Sequence, residues 1–320
     1  MSAYPIDRVL FEATEFCTNQ CYFCYGDYSP EGRHMSAHQF SLYFSNLIEA
    51  GLLHPESLVI LFGGEILNHP ECLEICRIAA EQKHPTMNLV IITSGKCLDE
   101  FLDQVETLKS QQNLFHHWEV SIKDIESFRF GLGLLEKGHR VLFRYDYLAL
   151  GDLKKCMDRF FTHVKSSGVW REFEKCNRGF EKKLRHLRQG ASPDMLLVEE
   201  FHFDSKGNGH PESSGLVFSP LDRSVMRKGR KPSPAQCSLF HPQYRSAVHV
   251  TQDGTLYPCH LPRFKKRCES LGSAADVDFL RLYELRVKEF KEALSEWQKA
   301  QYSEKGVCVE GCRGKVTLKS

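Results

Sequence analysis

The chain has 320 residues, of which 42 % are hydrophobic and 26 % charged, and its formal net charge is +1. That length suits one large core or a main domain with an appendage, the composition is that of an ordinary globular protein, and the balanced charge excludes a global basic face for nucleic acid or an acidic tail. No basic segment followed by an apolar core opens the sequence, and no stretch approaches the roughly 18 apolar residues of a membrane span. A cytoplasmic location is expected, with no membrane and no nucleic-acid partner. Thirteen cysteines, an odd number without a secretion signal, argue for metal ligands or catalytic thiols rather than a disulfide framework.

In chain order, six short runs rich in branched apolar residues read as buried strands: RVLFEA (8–13), SLVILF (57–62), NLVIIT (88–93), HWEVSI (117–122), RVLFRYDYL (140–148) and MLLVEEFHF (195–203). Helical patterns lie between them. Ser36 can cap a helix carrying Phe40, Phe44, Leu47 and Ile48, which Gly51 ends. Asp152 can cap another carrying Leu153, Met157, Phe160, Phe161 and Val164, which Gly168 ends. Strands alternating with helices imply βαβ units, a parallel sheet and right-handed crossovers. The expected fold is α/β, a partial (βα)6 TIM-like barrel over residues 1–225, with its chemistry at the C-terminal strand ends. FGLG (130–133) falls inside a helical pattern, which argues against a dinucleotide loop.

The last third reads differently, as a small α+β extension over residues 226–320. MRKGRKPSPAQ (226–236) has the composition of a solvated loop. YRSAVHVTQDGTLYPC (244–259) alternates and carries the hairpin signal Asp253-Gly254. A long amphipathic helix follows, with Val277, Leu280, Tyr283, Val287, Phe290, Leu294 and Trp297 on one stripe and Ser273 with Asp276 resembling a capping box.

Cys17, Cys21 and Cys24 form a C-x3-C-x2-C run directly after the first strand. Short spacers let one loop wrap a compact inorganic core, and three thiolates leave one position of an iron–sulfur cubane without a nearby protein ligand. The other reading is a zinc knuckle, which wants a fourth Cys or His in the loop, and none is there. CTNQCYFC in this position resembles the signature of the radical S-adenosylmethionine (SAM) superfamily. The resemblance implies a [4Fe–4S] cluster on the three cysteines, with SAM chelating the fourth iron. One electron then cleaves SAM to a 5′-deoxyadenosyl radical that abstracts a substrate hydrogen.

Further motifs fall where that family has them, across about residues 5–205. Phe23, before the last cysteine, is implied to lie beside the adenine. Gly63, Gly64 and Glu65 in LFGGEI resemble the family's GGE motif for the SAM amino group, with Ile66 in place of the usual proline. Thr93 and Ser94 in TSG resemble a T-N-G motif near the ribose and methionyl part. Ser121 in SIKD matches the serine of S-x-D, while Lys123 replaces the acid, so the carboxylate role moves to Asp124 or is absent. Arg129 is implied to bind the SAM carboxylate. Arg144, Tyr145, Asp146 and Tyr147 lie toward the end of the fifth strand, where alternation turns half of them inward, toward SAM, substrate or core. Cys97 follows TSG on the active side and is the candidate hydrogen-atom donor. Cys72, Cys76 and Cys156 lie on helical patterns and read as buried small hydrophobes.

A second set comprises Cys237, Gly254, Cys259, Cys308 and Cys312. C-x16-G-x4-C across a hairpin, then a helix and C-x3-C, resembles the twitch or SPASM extensions that hold auxiliary iron–sulfur clusters. The count suits one auxiliary [4Fe–4S] cluster, with Cys268 able to replace one ligand; a structural zinc site on the same four thiolates is the other reading. The resemblance implies an oxidoreductase or peptide-modifying enzyme. Its expected partners are a peptide or protein substrate, an electron donor such as flavodoxin or ferredoxin, and a separate leader-peptide recognition protein. A small-molecule dehydrogenase acting on an aminocyclitol-like substrate, and a non-enzymatic zinc- or cluster-binding protein, are the alternatives.

Overall fold

The computed structural model describes residues 6–19, 28–95, 117–123, 125–148, 195–203, 215–220, 247–257 and 270–285, with isolated positions 101, 103, 104, 206, 208, 287, 288 and 292. They fall into two compact units, one from Met1–Val90 with Met226–Ser320 and one from Ile91–Val225.

The first unit is built around β1 (Ile6–Thr14), whose residues from Val9 onward are all buried. A strand covered on both faces is a near-continuous apolar run, which is how RVLFEA reads. β1 pairs in parallel with β2 (Leu53–Gly63), in a register that sets Phe11 against Leu61, Glu12 against Phe62 and Thr14 against Gly63. On its other edge it pairs in parallel with β8 (Ala247–Val250), from Arg8–Ala247 to Phe11–Val250. β9 (Thr255–Tyr257) and β10 (Gly272–Ser273) extend that edge in antiparallel fashion. The tail sequence thus contributes a parallel neighbour to the first strand.

α1 (Ala37–Glu49) starts and stops on its sequence signals. Ser36 Oγ accepts from Gln39 N–H at 3.1 Å and Gln39 Oε1 accepts from Ser36 N–H at 2.9 Å, a complete capping box. At the far end Gly51 is left-handed at φ +67°, and Leu52 N–H reaches back to the Leu47 carbonyl at 3.1 Å. The helix lays Phe40 and Phe44 edge-on to Phe11, with ring centroids 4.9 and 5.8 Å apart. Odd-numbered β1 residues from Val9 therefore face α1, and Leu10 and Glu12 face the opposite side of the sheet. A single 3-10 turn (Ile66–Asn68) leads to α2 (Cys72–Gln82), where Cys72 and Cys76 are buried. β3 (Asn88–Thr93) passes from the first unit into the second.

The β8–β9 turn is the expected hairpin. Gly254 is at φ +80°, and a Cβ there would lie 2.7 Å from the Tyr43 ring of α1. The helix after β10 starts later than a Ser273 cap predicts. Ser273 Oγ accepts from Ala275 N–H at 3.1 Å, and Asp276 Oδ1 accepts from Asp278 N–H at 3.0 Å to open α4 (Val277–Arg281). Asp is as good a cap as Ser, and the one nearer the apolar stripe takes the role. Leu280 and Tyr283 of that stripe are fully buried.

In the second unit β4 (His117–Ile122) and β5 (Val141–Leu148) are parallel, joined by α3 (Ile125–Glu136). Trp118 meets Phe130 of α3 at 6.0 Å and Phe128 meets Phe143 at 5.6 Å. Gly131, inside FGLG, is helical as expected and allows this packing: a Cβ there would lie 2.3 Å from the Phe143 ring. The expected sixth parallel strand is a correction. β6 (Met195–Phe203) runs antiparallel to β5, and β7 (Gly215–Pro220) runs antiparallel to β6. A buried apolar run specifies a strand but not its direction. The helix expected over 152–168 lies outside the described residues. Among the described residues no helix is long and apolar enough to cross a membrane.

Candidate active site

β1 ends at Thr14, and residues 15–17 turn against a returning segment, 28–35. Glu15 N–H donates to the Arg33 carbonyl and Met35 N–H to the Ala13 carbonyl, both at 2.8 Å, while Cys17 N–H donates to the Ser29 carbonyl at 3.0 Å. Gly32 lets the two strands meet, since a Cβ there would lie 2.2 Å from the Glu15 carbonyl oxygen. Backbone pairing thus fixes Cys17 before any metal chemistry is considered.

β2 brings Gly63, Gly64 and Glu65 to this loop. Gly64 N–H donates to the Thr14 carbonyl at 2.8 Å and Glu65 N–H to the Phe16 carbonyl at 2.9 Å. A Cβ on Gly63 would lie 2.1 Å from the Thr14 oxygen, and one on Gly64 would lie 2.3 Å from the Phe16 oxygen and 2.8 Å from Cys17 Cβ. Both positions need glycine because β2 closes onto the cysteine loop here. Glu65 is 1 % exposed, and its Oε1 accepts from Leu67 N–H at 3.2 Å.

Cys17 is buried, and its Sγ accepts from Asn19 N–H at 3.4 Å. An N–H aimed at sulfur is one of the levers that tune cluster potentials. A buried thiol with such a donor, set in a cradle that side chains would fill, fits a cluster ligand. Among the described residues no three Cys, His, Asp or Glu gather as a metal site. Cys21, Phe23, Cys24, Cys97, Asp124, Cys237, Cys259, Cys268, Cys308 and Cys312 lie outside those residues.

Beside the loop, Thr14 Oγ1 accepts from Phe16 N–H at 2.9 Å and lies 2.9 Å from His34 Nδ1. The His34 ring stacks on Phe16 at 5.6 Å and meets His69 edge-on at 4.9 Å. His69 Nε2–H donates to the Met35 carbonyl at 2.7 Å, and its Nδ1 accepts from Glu71 N–H at 2.9 Å. These contacts satisfy a neutral ring, and burial lowers the pKa of both histidines.

In the second unit Thr93 and Ser94 end β3 and are buried. Thr93 Oγ1 accepts from Gly95 N–H at 2.9 Å, and Gly95, at φ +72°, would drive a Cβ to 2.8 Å from Phe130. The turn glycine is therefore explained by packing. Ser121 and Arg144 are register partners on β4 and β5, on the sheet face turned away from α3. The fold brings these two expected residues side by side. Arg129 lies on the exposed side of α3, between buried Phe128 and Phe130. Lys123 N–H donates to Ser127 Oγ at 2.8 Å, so the loop after Ser121 is tied back to the helix.

No family model and no curated protein sequence matches the chain. Solved structures do. Streptococcus suis SuiB bound to its precursor peptide SuiA superposes with a TM-score of 0.52 at 10 % identity, covering 88 % of this chain and 65 % of that one. SuiB bound to S-adenosylmethionine gives 0.51 at 9 % identity, covering 88 % and 66 %. The fold is shared with SuiB. BtrN in complex with AdoMet and 2-DOIA is also similar, at a TM-score of 0.48 and 13 % identity over 92 % of this chain and 89 % of that one. This chain therefore spans just under two thirds of the SuiB chain.

Within this fold one pair escaped the motif reading. Glu12 on β1 and His249 on β8 are fully buried, with Oε2 and Nε2 3.2 Å apart. The signal was available: an acid inside a continuous apolar run needs a buried partner. So was His249, the polar residue on an otherwise apolar β8. Asn19, His34 and His69 carried no motif at all.

Proposed function

We propose that the chain is a radical SAM enzyme that modifies a peptide or protein. The observation that carries this is the seat of Cys17: a thiol held by backbone pairing at the end of β1, with an N–H on its sulfur and the glycines of Gly63-Gly64-Glu65 closed against it. Cys17, Cys21 and Cys24 would hold a [4Fe–4S] cluster that, with SAM bound, supplies one-electron cleavage of SAM and hydrogen abstraction by the resulting 5′-deoxyadenosyl radical.

The remaining roles belong to the chain. Glu65 accepts from the SAM ammonium, and Gly63 and Gly64 let the ligand approach the backbone. Thr93 and Ser94 serve the ribose side, Phe23 stacks beside the adenine, and Ser121, Arg144 and Arg129 complete the polar contacts. Residues 226–320 form a cluster-binding extension, with Cys237, Cys259, Cys308 and Cys312 as ligands of an auxiliary [4Fe–4S] cluster and Cys268 as a replacement for one of them. Cys97 returns a hydrogen atom. Support for a peptide substrate comes from SuiB, which shares the fold and was solved bound to a precursor peptide. A flavodoxin or ferredoxin as electron donor and a separate leader-peptide protein complete the system.

Anaerobic reconstitution with iron and sulfide counting, and EPR of the reduced protein with and without SAM, tests this reading. Two cubane clusters give about eight irons per chain and one gives about four. A SAM-perturbed spectrum supports the function. Tightly bound zinc with negligible iron rejects it in favour of a structural metal protein.

A further inference from the structure

We propose that Glu119 binds a cationic group of the substrate, the ammonium or guanidinium of a peptide side chain; this rests on the peptide reading above. β4 separates its residues cleanly by face. Trp118, Val120 and Ile122 are buried, with Trp118 against Phe130 of α3. His117, Glu119 and Ser121 occupy the other face and are all partly exposed. A strand in a plain core would be apolar on both faces, so a face made of His, Glu and Ser is suited to a polar ligand.

Glu119 is the charged group of that stripe. Its side chain is 20 % exposed, low enough to be largely desolvated and high enough to be reached. Its Oε1 bonds His117 Nε2 at 3.3 Å, the residue two before it on the same face. That contact orients the carboxylate and leaves Oε2 for another donor. Ser121, proposed above to face SAM, is one pleat further along the strand, about 7 Å away at the rise of a β-strand.

The chemistry of the occupant follows from charge. A carboxylate shielded from bulk water attracts a cation more strongly than it does in water, and an N⁺–H donor to it forms the stronger class of hydrogen bond. An anionic group there would be repelled. Arg144, register partner of Ser121 on the same face, places the opposite charge nearer the strand end. The ligand is therefore oriented with its cation toward the middle of β4.

The test uses the reconstituted full-length protein with SAM and fluorescein-labelled pentapeptides Gly-Gly-X-Gly-Gly, with X as Lys, Gln or Glu, read by fluorescence anisotropy. The Lys peptide is expected to bind roughly tenfold more tightly than the Gln peptide, and the Glu peptide more weakly than either. Glu119→Gln should bring the Lys and Gln peptides to within about twofold, and Glu119→Lys should invert the order. Circular dichroism checks that each variant folds, and the isosteric Gln variant suffices if the charge reversal does not. Equal binding of all three peptides, or a Lys preference that survives Glu119→Gln, overturns the inference while leaving the peptide reading intact. Glucosamine, titrated calorimetrically, separates the two ideas. If it binds in a Glu119-dependent way while no peptide binds, the cation site stands and the peptide reading falls; if neither binds, both fall.

Discussion

Glu12 Oε2 and His249 Nε2 lie 3.2 Å apart across the seam between β1 and β8, and both side chains are fully buried. The His249 ring is flanked by Phe62 at 5.3 Å and Tyr257 at 6.3 Å. Bringing two ionisable groups out of water costs several kcal/mol each, and their mutual attraction offsets that only while both are present. Removing one partner, as in His249→Leu or Glu12→Leu, should therefore destabilise the fold by about 3–5 kcal/mol in denaturant unfolding. The double variant Glu12→Leu/His249→Phe should recover most of that loss. If the single changes cost no more than the double, the pair does not behave as a coupled buried unit.

Gly64 separates the seating of the proposed cluster from fold stability. Gly64→Ala would place a methyl 2.3 Å from the Phe16 oxygen and 2.8 Å from Cys17 Cβ, against backbone that cannot move independently. Disturbing the groups that orient a metal ligand lowers metal affinity by roughly 10–100-fold, and iron retained per chain after reconstitution and gel filtration should fall accordingly. Gly51→Ala is the matched control. Gly51 is left-handed, at φ +67°, but nothing lies within 4 Å of its missing Cβ. It should cost about 1 kcal/mol of stability and leave iron loading unchanged.

His69 makes the stability pH-dependent. Its ring is buried and bonded as the neutral form, and burial holds its pKa below the ordinary 6.5. The folded chain then binds fewer protons at this residue than the unfolded chain does. The contribution is complete above pH 6.5 and is lost as the pH falls from there through the lowered folded value. Glutamine can donate to Met35 and accept from Glu71 without titrating. His69→Gln should thus flatten the fall in unfolding free energy between neutral pH and pH 5; an unchanged slope would show that other groups set it.

Gly131 tests the reading of FGLG as helix packing. Alanine in an exposed helix interior stabilises by about 1 kcal/mol relative to glycine. Here the added Cβ would lie 2.3 Å from the Phe143 ring, and overpacking of this kind costs about 1–3 kcal/mol. Gly131→Ala is expected to lower the melting temperature, and a raised one would mean that Phe143 yields without strain.

The parts of this molecule that local chemistry decides were legible in the sequence. Ser36, Gln39 and Gly51 announce the two ends of α1 because capping groups act within a few residues of the chain they cap. Gly63 and Gly64 announce the close approach to the cysteine loop for the same reason, since only a missing Cβ admits it. The antiparallel run of β6 and the pairing of β8 with β1 were not legible. Direction and partnership of strands are decided by long-range burial, and a pattern such as MLLVEEFHF serves equally well pointing either way. Glu12 stood in plain view within RVLFEA, but its partner lies 237 positions away. Asp276 rather than Ser273 opens α4, a three-residue displacement of the kind that two capping residues within one turn permit.

The position of β8 beside β1 has a consequence for how the protein is made. The strand that carries the chain into Cys17 ends at Thr14, yet its second parallel neighbour begins only at Ala247. At 5–20 residues per second the nascent chain spends on the order of ten to fifty seconds with that edge of β1 unpaired. An apolar strand edge left open for so long is a site for wrong pairing with another nascent chain. The same interval leaves the cysteine loop on a strand whose second partner has not yet been synthesised. Insertion of the proposed cluster and chaperone protection of the young chain therefore compete for the same stretch of time, and a slower ribosome would lengthen the exposure of both.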